Sequence, residues 1–147
     1  MEKINAVITG AGGYVPDYIL DNEEMSTIVD TSDEWIMERI GVKTRHILKP
    51  EQGSGTSYLM TRAVQQLLRK TQADPDSKEL VICATTTPDY HFPSTASLVI
   101  GNCGLSKAFG FDMEAACAGF LYAMEAGASY IRSGRYKRII ICGGDQS

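Results

Sequence analysis

Few residues in this chain have side chains suited to chemistry. Four cysteines, Cys83, Cys103, Cys117 and Cys142, and two histidines, His46 and His91, are the soft ligands and near-neutral titrating groups of a 147-residue sequence. No two cysteines stand at Cys-x-x-Cys spacing and the histidines are far apart, so no metal or dithiol centre is expected. Cys83 follows Leu80-Val81-Ile82 and Cys142 follows Ile139-Ile140-Ile141. Both read as small hydrophobes in buried strands, and Cys103, before Gly104, reads as packing. Cys117 stands apart. The run Asp112-Met113-Glu114-Ala115-Ala116-Cys117-Ala118-Gly119-Phe120 places it between a strand and a helix rich in alanine and glycine. A sharp strand-to-helix turn presents a nucleophile at a helix N-terminus, whose unpaired N–H groups and positive dipole end favour a thiolate. Small neighbours leave a substrate room. These residues alone allow two readings, an inert buried thiol or an activated nucleophile.

Two other motifs carry less. Gly10-Ala11-Gly12-Gly13 suggests a dinucleotide loop, but Val15 and Pro16 follow where a small residue and a helix opening are needed. It reads as a structural turn. The paired acids Glu23-Glu24 and Asp33-Glu34 fall in helix first turns, where the helix dipole accounts for them.

The elements that must position Cys117 alternate between strand and helix. Ile4–Thr9 reads as a first strand. A short helix is expected from Asn22, as N-cap, to Val29. A second starts at Thr31, whose spacing to Glu34 fits a capping box, and stops at Gly41. Val42–Leu48 is expected to be extended. Met60, Ala63, Val64, Leu67 and Leu68 line one face of a helix from Thr56 to Lys70, and Asp74-Pro75-Asp76 breaks it. Leu80–Thr86 reads as a buried parallel strand, followed by a loop at 88–93 and a short helix at 94–101. Phe109–Asp112 reads as a strand, Ala115–Ser133 as a buried Ala/Gly-rich helix, and Arg138–Cys142 as the last strand. This is an α/β pattern with a mostly parallel sheet.

Composition agrees with a folded domain: 44% hydrophobic, 22% charged, net charge −4. No apolar run reaches the ~18 residues of a membrane span, and no basic stripe suits nucleic acid. The N-terminal residues do not read as a signal peptide, and four free thiols suit a reducing, cytoplasmic compartment. The last strand lies so near Ser147 that covering elements are expected beyond it.

Three stretches resemble β-ketoacyl-acyl carrier protein synthase III, a thiolase-fold family. They are Asp30-Thr31-Ser32-Asp33-Glu34-Trp35-Ile36 through Arg45-His46, Ala84-Thr85-Thr86-Thr87-Pro88-Asp89-Tyr90-His91-Phe92-Pro93-Ser94, and Ala115-Ala116-Cys117-Ala118-Gly119-Phe120. The resemblance implies that residues 1–147 form the N-terminal thiolase-like half, one βαβαβ unit, of a two-half enzyme. It implies that Cys117 takes an acyl group from acyl-CoA and condenses it with malonyl-acyl carrier protein to start fatty acid synthesis, with no cofactor. It further implies that Trp35, Arg39 and Thr31 contact CoA and that Phe92 crosses a homodimer interface to close the partner's acyl pocket. The histidine and asparagine completing such a site belong to the family's second half. The alternatives are a relative making a specialised metabolite, a non-catalytic binding or dimerisation half-domain, and a redox-sensing thiol protein.

Overall fold

The computed structural model describes residues 3–146. They divide into two compact units, Val15–Ser54 and the remaining described residues.

In the smaller unit, β1 (Tyr18–Asp21) leads into α1 (Asn22–Ile28), α2 (Asp33–Arg39) and β2 (Thr44–Ile47). The two strands pair antiparallel, Tyr18 opposite Ile47 and Asp21 opposite Thr44. Both helix starts fall one residue away from the expected caps. Asp21, not Asn22, caps α1, its carboxylate accepting from Glu24 N–H at 2.8 Å. Asn22 is engaged elsewhere: its amide donates to Asp33 Oδ1 at 2.7 Å and to Val42 O at 3.0 Å, and its oxygen accepts from Arg45 at 2.8 Å. Ser32, not Thr31, caps α2 by accepting from Trp35 N–H at 3.2 Å. The helix opens at Asp33, one residue too late for a cap at Thr31. Buried Ile36 anchors its inner face.

The larger unit contains α3 (Thr56–Thr71), β3 (Leu80–Ala84), α4 (Thr95–Cys103), β4 (Phe109–Met113), α5 (Gly119–Arg132) and β5 (Ile139–Gly143). Its sheet is parallel throughout, in the order β4-β3-β5. Central β3 is buried at all five positions, which explains its unbroken apolar sequence. On one face, Val81, Cys83, Ile140 and Cys142 pack with Met60 and Val64 of α3 and Val99 of α4. On the other, Leu80, Ile82 and Ala84 pack with Ala123 of α5. The result is a three-layer α/β/α unit.

Two expectations need revision. Ile4–Thr9 forms no strand pairing among the described residues, and Val7 and Ile8 are 73% and 77% exposed. Alternating apolar residues suit a strand, but a neighbour to exchange backbone hydrogen bonds is what makes one. The glycine-rich segment after it runs against α3 instead. Gly13 N–H donates to Gln66 Oε1 at 2.9 Å, and a Cβ at Gly12 would lie 2.8 Å from Leu67 N. The Ala/Gly-rich helix, expected from Ala115, begins as a 3₁₀ turn at Ala116–Ala118 and becomes α5 at Gly119. Its burial follows one stripe, Gly119, Ala123 and Gly127, while Phe120, Leu121 and Tyr122 are exposed.

Candidate active site

The parallel sheet brings the C-terminal ends of β3, β4 and β5 to one edge, where open α/β sheets place their ligands. Cys117 lies at this edge. β4 ends at Met113, and Thr85 N–H, just past β3, donates to Met113 O at 3.1 Å. Four residues on, Cys117 is the middle residue of the 3₁₀ turn that opens α5. The turn is tight. Ala116 has φ +43°, a left-handed conformation that costs a non-glycine residue about 1–3 kcal/mol and persists only where the surroundings enforce it. A Cβ on Gly119 would sit 3.3 Å from Ala84 Cβ, so the small residue lets α5 start directly over β3.

The four cysteines separate by environment. Cys83 and Cys142 are buried and Cys103 is half-buried, whereas Cys117 is exposed. Cys83 and Cys142 face each other in the β3–β5 register. Hydrogen bonding to Cys142, together with burial, pushes the Cys83 thiol well above its ordinary value. Burial pushes Cys103 up to about 11. Thiols held neutral and enclosed are poor nucleophiles. Exposure sets Cys117 apart from these three.

Three aspartates that the sequence reading did not single out organise the same edge. Asp89 accepts from Ser57 N–H at 3.1 Å and from the Ser57 hydroxyl, at the start of α3. Asp112, in β4, accepts from Thr95 N–H at 2.7 Å and Ala96 N–H at 2.8 Å, at the start of α4. Asp145, two residues past β5, accepts on Oδ1 from Thr86 N–H at 2.7 Å, Thr85 Oγ1 at 2.9 Å, and Thr87 N–H and Oγ1 at 3.2 Å each. Burial opposes its ionisation, but the hydrogen bonds from Thr86, Thr85 and Thr87 outweigh this and hold its carboxyl below the usual range. The available signal was positional: each aspartate sits within or shortly after a strand, where it can meet backbone N–H groups at the carboxyl edge.

Phe92 lies on the loop after β3 and is 90% exposed. His91 beside it is exposed. In the other unit, His46 Nδ1 lies 2.5 Å from Pro16 O. There, Asp30, Thr31, Ser32 and Trp35 line an open concavity of about 310 Å³. Trp35 is 53% exposed, and the Arg39 guanidinium stands 6.0 Å from its ring centroid, one helical turn away. Thr31 Oγ1 is buried with no hydrogen-bond partner. The concavity therefore offers an aromatic face and a nearby cation, with the Thr31 hydroxyl enclosed beside them. Among the described residues, no group of three or more His, Cys, Asp or Glu side chains is placed to hold a metal ion, and no helix is long and apolar enough to cross a membrane.

Known proteins share both the sequence and this architecture. A sequence profile of the 3-oxoacyl-[acyl-carrier-protein (ACP)] synthase III family matches residues 111–147, the stretch containing β4, Cys117, α5 and β5. A β-ketoacyl-[acyl-carrier-protein] synthase III of Bacteroides thetaiotaomicron is 67% identical over 146 residues, covering 99% of this chain and 43% of the relative. The chain is similar to the N-terminal part of synthase III proteins. The crystal structure of 3-oxoacyl-[acyl-carrier-protein] synthase III from Aquifex aeolicus superposes with a TM-score of 0.86 at 40% identity, covering 97% of this chain and 44% of that one. The priming β-ketosynthase of the R1128 polyketide pathway superposes with a TM-score of 0.91 at 29% identity, covering 99% and 43%. The fold is thus thiolase-like α/β, and the chain spans less than half the length of the relatives it matches.

Proposed function

We propose that this chain carries the nucleophile of a condensing acyltransferase, with Cys117 as its acyl acceptor. The observation supporting this is that Cys117, alone among four cysteines, is exposed, and stands at a strained strand-to-helix junction. In this reading, the Cys117 thiolate attacks the carbonyl of an acyl-CoA. The new S–C bond forms, the bond from carbonyl to the CoA sulfur breaks, and CoA leaves as a thiol carrying the proton Cys117 gave up. Malonyl-acyl carrier protein then loses CO₂, and the electron pair left on its α-carbon attacks the acyl-enzyme. A C–C bond forms and the Cys117 thiolate departs, leaving a β-ketoacyl-acyl carrier protein. The Cys117 backbone N–H is one donor to the developing oxyanion, a role suited to a preorganised group.

Trp35, Arg39 and Thr31 hold the CoA nucleotide: the ring by stacking, the guanidinium by charge, and Thr31 as part of the concavity's wall. Exposed Phe92 contributes to a homodimer partner's acyl pocket. No cofactor is required, and the compartment is the cytoplasm. The product starts fatty acid synthesis. The likeness to a priming polyketide ketosynthase favours, as a second reading, a specialised-metabolite role with another acyl starter.

The test is to incubate the full-length protein with acetyl-CoA and map the added mass by peptide mass spectrometry. Acetylation confined to the Cys117 peptide, and lost in Cys117→Ala, supports the assignment. Acetylation elsewhere, or surviving the substitution, refutes it. A panel of acyl-CoAs of increasing length separates the two readings.

A further inference from the structure

We infer that Asp145 is a positioning residue that fixes the turn carrying Cys117 relative to the loop carrying Phe92; the inference rests on the acyl-transfer reading. The geometry begins at Thr85–Thr87, the first residues past β3. Asp145 Oδ1 draws in two backbone N–H groups and three threonine hydroxyls from this stretch, adding Thr86 Oγ1 at 3.2 Å to the bonds above. Thr85 Oγ1 also accepts from Thr87 N–H at 3.1 Å, closing the turn on itself. Gln146 N–H, next along the chain, donates to Thr56 Oγ1 at 3.2 Å and Thr87 Oγ1 at 3.0 Å. Gly144 N–H donates to Ala84 O at 3.2 Å. The ends of β3 and β5 are therefore tied together through one carboxylate.

Two paths leave this knot. Thr85 N–H is bonded to Met113 O, four residues before Cys117, so the knot holds the end of β4 that launches the strained Ala116–Cys117 turn. In the other direction, Thr87 leads directly into the 88–93 loop with Phe92. A glycine-rich connection, Gly143-Gly144, could not set this geometry by itself. Asp145 touches neither Cys117 nor Phe92. Its effect is on placement, and displacing a nucleophile by about 1 Å can slow a reaction about 100-fold.

The experiment measures the acetyl-CoA acylation rate of Cys117 in full-length protein for the wild type, Asp145→Ala, Thr85→Val and Thr85→Ser, with acyl-CoA binding measured separately. The expected result is acylation slowed about tenfold or more by Asp145→Ala and Thr85→Val, with acyl-CoA affinity unchanged. Thr85→Ser, which keeps the hydroxyl, restores the wild-type rate, whereas a purely apolar packing role would favour valine. Iodoacetamide labelling reports folding: a folded variant labels at Cys117 and not at Cys83 or Cys142, an unfolded one at all three. If Asp145→Ala labels at Cys83 and Cys142, the Thr85 pair decides. Wild-type rates in folded Asp145→Ala, or in Thr85→Val, overturn the positioning role and leave the acyl-transfer reading standing. Failure of the wild type to acylate at Cys117 overturns both.

Discussion

Asp112 offers the most direct test of how the sheet edge is held. Its two carboxylate oxygens accept separately from Thr95 N–H and Ala96 N–H, and these residues are only 1% and 0% exposed. Asp112→Ala leaves two buried donors unpaired, at about 1–3 kcal/mol each, so the loss is about 2–6 kcal/mol. Asp112→Asn keeps one acceptor oxygen but turns an N–H₂ toward the second donor, so about half that loss is expected. Urea unfolding followed by circular dichroism reads both. With a slope of about 2 kcal/mol per molar, the midpoint falls by about 1–3 M for the alanine variant, without a change in slope. A loss below about 1 kcal/mol for Asp112→Ala, or equal losses for the two variants, would refute the argument that this carboxylate satisfies the start of α4.

Other outcomes follow from the same structure. Cys117→Ala removes an exposed side chain, so its stability stays within about 0.5 kcal/mol of wild type, while rapid reaction with a thiol reagent disappears; a melting temperature at constant heating rate and a thiol count check both. Met60→Ala empties a site at 2% exposure against α4 and the sheet, and costs about 2–5 kcal/mol in urea unfolding. A Cβ on Gly110 would come within 2.7 Å of Val81 O and 2.9 Å of Ala96 Cβ; Gly110→Ala therefore destabilises by about 1–3 kcal/mol through overpacking, visible as a lower melting temperature. Because the folded state depresses the Asp145 carboxyl below its ordinary value of 3.8, its stabilisation is full above that value and fades as pH falls through the lower, folded one. The gap in melting temperature between wild type and Asp145→Asn is constant near neutrality and narrows below about pH 4; a gap that widens on acidification contradicts the assignment.

Much of the fold was legible because burial writes itself into pattern. The run Leu80–Thr86 read as a buried parallel strand, which the structure gives over Leu80–Ala84, and the i, i+3, i+4 stripe from Met60 to Leu68 gave α3 within one residue of its end. The position of Cys117 between a strand and a helix was legible in the same way. The helix caps slipped by one residue because neighbouring Asp21 and Asn22, or Thr31 and Ser32, have equal capping chemistry in isolation. Tertiary bonds from Asn22 to Asp33, Val42 and Arg45 settled the first case. Ile4–Thr9 had the pattern of a strand, but pairing is a property of two segments, and no local signal reports a partner. The aspartates were hidden for a related reason. Asp112 and Asp145 act across 16 to 60 residues of chain, and only their place within or just after a strand distinguishes them from solvated acids.

The division into two compact units distributes the natural spectroscopic handles unevenly. Trp35, the single tryptophan, belongs to the Val15–Ser54 unit, and all four cysteines belong to the other. Indole emission therefore reports on the smaller unit, while the uncovering of Cys83 and Cys142, read with a thiol reagent, follows melting of the sheet. Recorded on one sample, the two signals measure how strongly the units cooperate, with no engineered label.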